Sequence, residues 1–184
     1  TTADGHGHGS HVAGIAAGTG FESGGTYTGV APGAYLWNLR VLRQDGVGQT
    51  SWIVAALEFA SLGPDMMPGG DDEADLANMS LGTDSPGSGD DPLSQAVDLA
   101  VSRGLAVVVS AGNAGPEMGT VTRPGVARKA ITVGATDDVD RMASFSSRGP
   151  TSDLRLKPDL VAPGTSIVSV KVGGGTRTLS GTSM

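Results

Sequence analysis

Short, nearly continuous apolar runs recur along the chain, at Tyr35 to Leu42, Leu76 to Leu81, Leu105 to Ser110, Ala130 to Ala135 and, less regularly, Leu160 to Val170. A strand covered on both faces has no polar side to alternate with, so these runs predict buried strands. Between them, apolar positions return at helical spacing. Pro92 to Arg103 puts Leu93, Ala96, Val97, Ala100 and Val101 on one face, as a helix packed on a core requires. Its ends are marked too: Asp90 or Asp91 can accept from the first free N–H groups, Pro92 fits the first turn, and Gly104 tolerates a left-handed stop. Ser51 to Leu62 predicts a second helix, and Val12 to Ala17 a short one of small residues opened by a histidine. Strand, helix, strand order with covered strands predicts an α/β fold, a mostly parallel sheet with helices on both faces. Ligand sites in such sheets gather at the carboxyl ends of the strands.

Composition narrows the function. The 184 residues suit one domain, and 38% hydrophobic with 17% charged residues is a globular balance. Twelve Lys and Arg are scattered within a net charge of −7, which argues against nucleic acid as a partner because phosphate binding needs clustered cations. There is no cysteine, so disulfides, thiolate metal sites and a cysteine nucleophile are all excluded. No apolar stretch approaches the roughly 18 residues of a membrane span. The stretch Gly63 to Asp75 is rich in glycine, proline and acids and reads as a solvated loop. Asp71, Asp72, Glu73 and Asp75 could offer oxygens to a structural calcium ion, although EF-hand spacing is absent.

Candidate chemistry sits in three places. The three histidines, His6, His8 and His11, fall within one segment, DGHGHGSHVAG. Zinc would need three or four converging ligands, and the helical H-E-x-x-H spacing is missing. A histidine at the start of a small-residue helix would instead project from a fixed element, as a general base must. The strand Val107 to Ser110 runs into Ala111-Gly112-Asn113, whose amide can donate two hydrogen bonds, although Asn beside Gly is also an ordinary turn signal. The chain ends on Ser180-Gly181-Thr182-Ser183-Met184, a polar turn by itself, or a serine exposed among small neighbours.

Taken together, His8-Gly9-Ser10-His11-Val12-Ala13-Gly14, Ser110-Ala111-Gly112-Asn113 and Gly181-Thr182-Ser183-Met184 resemble, in content and order, the histidine, oxyanion and serine motifs of the subtilisin-like serine proteases. The ground between is similar too, through Gly29 to Ala34, Val41 to Gly48, Asn78 to Gly82, Phe145 to Pro150 and Lys157 to Gly164. The resemblance implies a subtilisin-like fold and peptide-bond hydrolysis with Ser183 as nucleophile, His8 as general base and Asn113 as oxyanion donor. It also implies that Gly46, Val47 and Gly48 on one side, and Ser80, Leu81 and Gly82 on the other, pair with an extended polypeptide. Ser110, Ala111 and Gly112 would line the pocket for the residue before the cut, leaving room for a large apolar group. His11 is expected to be structural. No cofactor is implied for the chemistry, structural calcium is left open, and the family suggests a secreted monomer.

The resemblance is incomplete. Family members carry the triad aspartate on a strand upstream of the histidine, and Asp4, four residues before His8 and without an apolar strand, does not fit that role. The helix expected after Ser183 is missing as well. Residues 1–184 therefore read as an incomplete peptidase catalytic domain, expected to be inactive by itself.

Overall fold

The computed structural model describes residues 4–184. Four strands, β1 (Leu76–Met79), β2 (Ala106–Ser110), β3 (Ile131–Thr136) and β4 (Leu160–Pro163), lie side by side in chain order and run parallel. Ala77 stands opposite Val107, Val109 opposite Thr132, and Ala135 opposite Ala162. Helices α2 (Thr50–Leu62) and α3 (Pro92–Ser102) pack on each other over one face of this sheet. Ile53 and Leu57 of α2, Leu93 and Val97 of α3, and Met79, Val107 and Val109 of the strands form one buried cluster. Each such aliphatic side chain contributes about 1.5–3 kcal/mol through removal from water, so this cluster fixes the strand ends in space.

Helix α3 begins where its sequence predicts. Asp91 accepts from Ser94 N at 3.0 Å and from Ser94 Oγ at 2.7 Å, Pro92 occupies the first turn, and Gly104 beyond the end has φ 109°. The carboxylate satisfies donors that the first turn leaves free.

Two expectations change. Tyr35 to Leu42 forms no strand: its only ladder contact is an isolated antiparallel bridge between Leu42 and Gly48. Leu39 and Val41 pack against the core while Tyr35 is 99% exposed. The apolar run thus reflects one-sided packing, and no described segment lies alongside it to complete a ladder. The run from Leu160 to Val170 is two strands, not one. β4 stops at Gly164, where a Cβ would come within 2.7 Å of both Ala135 Cβ and Gly181 O, and Ser166 turns the chain with φ 58°. β5 (Ile167–Val170) then leaves the sheet and pairs antiparallel with β6 (Thr176–Leu179).

Helix α1 (His8–Ala17) starts earlier than the apolar pattern indicates and lies on this hairpin. Ser169 Oγ donates to His11 O at 2.8 Å, and the fully buried His11 ring meets Arg177 O through Nε2 at 3.1 Å. Gly14 permits the contact, since a Cβ there would come 2.7 Å from Val170 Cγ2.

Candidate active site

The carboxyl ends of three sheet strands converge on the segment Ser180 to Met184. Past β2 the chain turns at Gly112, whose φ of 104° and crowding by Thr122 Oγ1 and Ser147 Oγ exclude a side chain: a Cβ would stand 2.6 and 2.9 Å from them. That turn brings Asn113 out of the core into an exposed position. Asn113 Oδ1 accepts from Thr182 N at 2.9 Å and from Thr182 Oγ1 at 3.1 Å, and Thr182 Oγ1 in turn accepts from Gly112 N at 3.1 Å. With two donors on its oxygen, the amide cannot flip without losing both bonds. Its NH₂ group, the face that can donate, is thereby given a fixed direction.

The other two strands hold the same segment. After β1, Ser80 Oγ donates to Ser183 O at 2.9 Å and accepts from Asn78 Nδ2 at 3.0 Å. After β4, Gly164 O accepts from Gly181 N at 2.8 Å. Thr182 is buried and Ser183 half-buried, so the hydroxyl of Ser183 stands on an anchored turn.

His8, the first residue of α1, is half-buried. Burial pushes its pKa below the ordinary value, helped by the neighbouring His6, His11 and Arg177 and opposed by Asp4. The neutral imidazole, the form that can accept a proton, is thus favoured. No hydrogen bond joins this ring to Ser183. The two residues are carried by adjoining elements, since α1 lies on the hairpin whose β6 runs directly into Ser180.

The three histidines do not converge on a point. The rings of His6 and His8 meet edge to face with centroids 6.3 Å apart, whereas His11 turns inward to Arg177. Among the described residues no three His, Cys, Asp or Glu side chains are grouped to hold a metal ion. Glu73 of the acidic loop accepts from Gly69 N and Gly70 N instead. Asp4 is likewise spent on main-chain N–H groups of its own turn and on Ser10.

The two candidate substrate edges flank these residues. Arg43 N donates to Val47 O at 2.9 Å and Gly46 N to Arg43 O at 3.0 Å, closing a tight turn in which Gly46 has φ 79°. The His6 ring lies against Gly46, so Gly46 to Gly48 adjoins the histidine side of the site. Ser80 to Gly82 adjoins the serine side through the Ser80 bond to Ser183. Ser110 to Gly112 continues the end of β2, the strand next to β1, with Ala111 fully buried.

Residues 1–184 match the Subtilase family along their whole length. The chain belongs to the subtilase family. It is 41% identical to serine protease AprX of Bacillus subtilis (strain 168), a match covering 98% of this chain and 46% of that protein. It is 40% identical to subtilisin Savinase of Lederbergia lenta, covering 100% of this chain and 60% of the relative. Among solved structures, sphericase superposes with a TM-score of 0.81 at 35% identity, over 98% of this chain and 60% of that one. A cold adapted subtilisin-like serine proteinase gives 0.78 at 32%, over 100% and 58%. The fold is subtilisin-like, and the chain spans about half the length of these relatives, a partial domain. In this subtilase the residue that sequence reasoning passes over is Thr182. Its only sequence signal is a hydroxyl next to the serine, and its bonds to Asn113 bridge 69 positions of chain.

Proposed function

We propose that this subtilase chain carries the nucleophile, base and oxyanion donor of a serine endopeptidase. Ser183 Oγ attacks the scissile carbonyl while His8 takes its proton, and the imidazolium then protonates the leaving amine as an acyl-enzyme forms. Water, deprotonated by the same imidazole, releases the acid. Asn113 Nδ2 and the N–H of Ser183 donate to the oxyanion. The observation that carries this reading is the pair of bonds from Thr182 to Asn113 Oδ1. They leave the amide NH₂ unspent beside a serine held on three strand ends.

An extended polypeptide is the substrate, its main chain between Gly46 to Gly48 and Ser80 to Gly82. The small residues Ser110 to Gly112 favour a large apolar side chain before the cut. The chemistry draws on side chains and main chain alone, and any calcium would act on stability. Family membership favours a secreted enzyme working as a monomer; among the described residues no helix is long and apolar enough to cross a membrane.

The test is covalent. A fluorophosphonate added to the full-length protein carrying this chain should label Ser183, and Ser183→Ala should abolish both labelling and peptide hydrolysis. A folded protein that stays unlabelled would refute the assignment.

A further inference from the structure

Helix α1 has an unusual beginning. Its N-cap, Gly7, has φ 89° and no side chain to cap the free N–H groups. The cap comes from three residues further back. Asp4 Oδ1 accepts from His6 N at 3.0 Å and Gly7 N at 2.7 Å, while Oδ2 accepts from Ser10 N at 2.9 Å and Ser10 Oγ at 2.8 Å. One carboxylate therefore grips the chain on both sides of His8, by two main-chain N–H groups before it and by the N–H and hydroxyl of Ser10 after it.

We infer that Asp4 is a positioning residue for His8, fixing the turn from which the imidazole is presented to Ser183. The inference rests on the proposed role of His8 as base. Asp4 touches neither the ring nor Ser183; it acts through the backbone at His6, Gly7 and Ser10. Among the described residues of the segment no other side chain does this, because Gly5, Gly7 and Gly9 supply none and Gly7 sits in a conformation the turn must hold against its own freedom. A shift of about 1 Å in a reacting group can cost roughly 10²-fold in rate, and a loosened turn at the first residue of a helix allows such a shift.

Asp4 also acts as a charge. The charged and titratable groups acting on His8 are His6, His11 and Asp4 from its own segment and Arg177 from β6, and of these only Asp4 favours the imidazolium. A clamp that also carries this charge leaves two signatures that loss of structure alone would not.

The experiment uses Asp4→Asn and Asp4→Ala in the full-length protein, with active sites counted by fluorophosphonate titration and the His8 ring followed by NMR. Asp4→Asn keeps an acceptor for His6 N and Gly7 N but loses the charge and opposes Ser10 N with its own NH₂. Expected are a kcat per titrated site reduced about 10- to 100-fold with KM little changed, the larger loss in Asp4→Ala. His8 should titrate at lower pH in both. Folded variants with unchanged kcat and an unmoved His8 titration would overturn the inference. Should the parent protein fail to label at Ser183, the peptidase reading falls, yet the His8 titration still decides whether Asp4 holds and charges this turn.

Discussion

Thr182 shows how a residue without a chemical step can govern one. Its hydroxyl and N–H both end on Asn113 Oδ1, and the hydroxyl also receives Gly112 N. Replacing Asn113 with Leu removes the oxyanion donor and should cost about 10²–10³ in kcat, the magnitude known for subtilisin itself. Thr182→Val keeps the shape and the N–H bond but frees one lone pair of Oδ1 and strands Gly112 N. One hydrogen bond of net worth about 1 kcal/mol corresponds to roughly five- to tenfold, so kcat should fall by that factor. Because Thr182 works through the amide, the two losses should not add. The double variant should be about as slow as Asn113→Leu alone, as measured by kcat in a full mutant cycle. Fully additive losses would mean that Thr182 stabilises the transition state independently.

At the scale of elements, the decisive contact is that of α1 with the β5–β6 hairpin, because it brings the histidine segment beside the serine segment. Gly14 makes it close: a Cβ would meet Ser169 Oγ and Val170. Ser169 is buried and engaged with His11 O, so it cannot give way without losing a bond. Gly14→Ala should therefore destabilise the fold by about 1–3 kcal/mol, as overpacking does, despite the better helix propensity of alanine. Thermal unfolding of the full-length protein would register it as a lowered Tm; an unchanged or raised Tm would show that the hairpin yields freely. This contact was also the part least readable from sequence. Thr176, Arg177 and Thr178 are polar and exposed, so β6 offers no hydrophobic signal, and only the three glycines before it mark a turn. Helix α3 is legible because Asp91, Pro92 and Gly104 act locally, and β2 and β3 because their buried positions must be apolar or small; β1 is read from an apolar run of which only Met79 is buried. Tyr35 to Leu42 misleads for the complementary reason: apolarity reports packing, whereas a strand needs a partner. At the site, His8, Asn113 and Ser183 stand out only as members of three motifs read together. The roles of Thr182 and Asp4 depend on bonds that no spacing encodes.

Over the whole molecule, charge from both ends of the chain converges on one imidazole. His6, His11 and Asp4 come from the first dozen residues and Arg177 from the last dozen. Burial disfavours the imidazolium first, His6, His11 and Arg177 add to it, and Asp4 subtracts. A base is competent only when unprotonated, so the acid limb of kcat/KM follows the titration of His8, which burial and the first three of these neighbours push downward. Removing Arg177 removes a repulsion, which makes the imidazolium easier to form. Arg177→Gln should therefore move the limb upward and reduce activity at mildly acid pH, leaving the alkaline plateau in place. The backbone of residue 177 still receives His11 Nε2 in that variant, so the helix contact is kept. The shift should shrink as salt rises, because a half-buried charge pair is partly screened when the Debye length falls to about 3 Å at 1 M. kcat/KM profiles of both forms at low and high salt give the answer. A limb that stays put, or moves down, would mean that burial alone sets the basicity of His8.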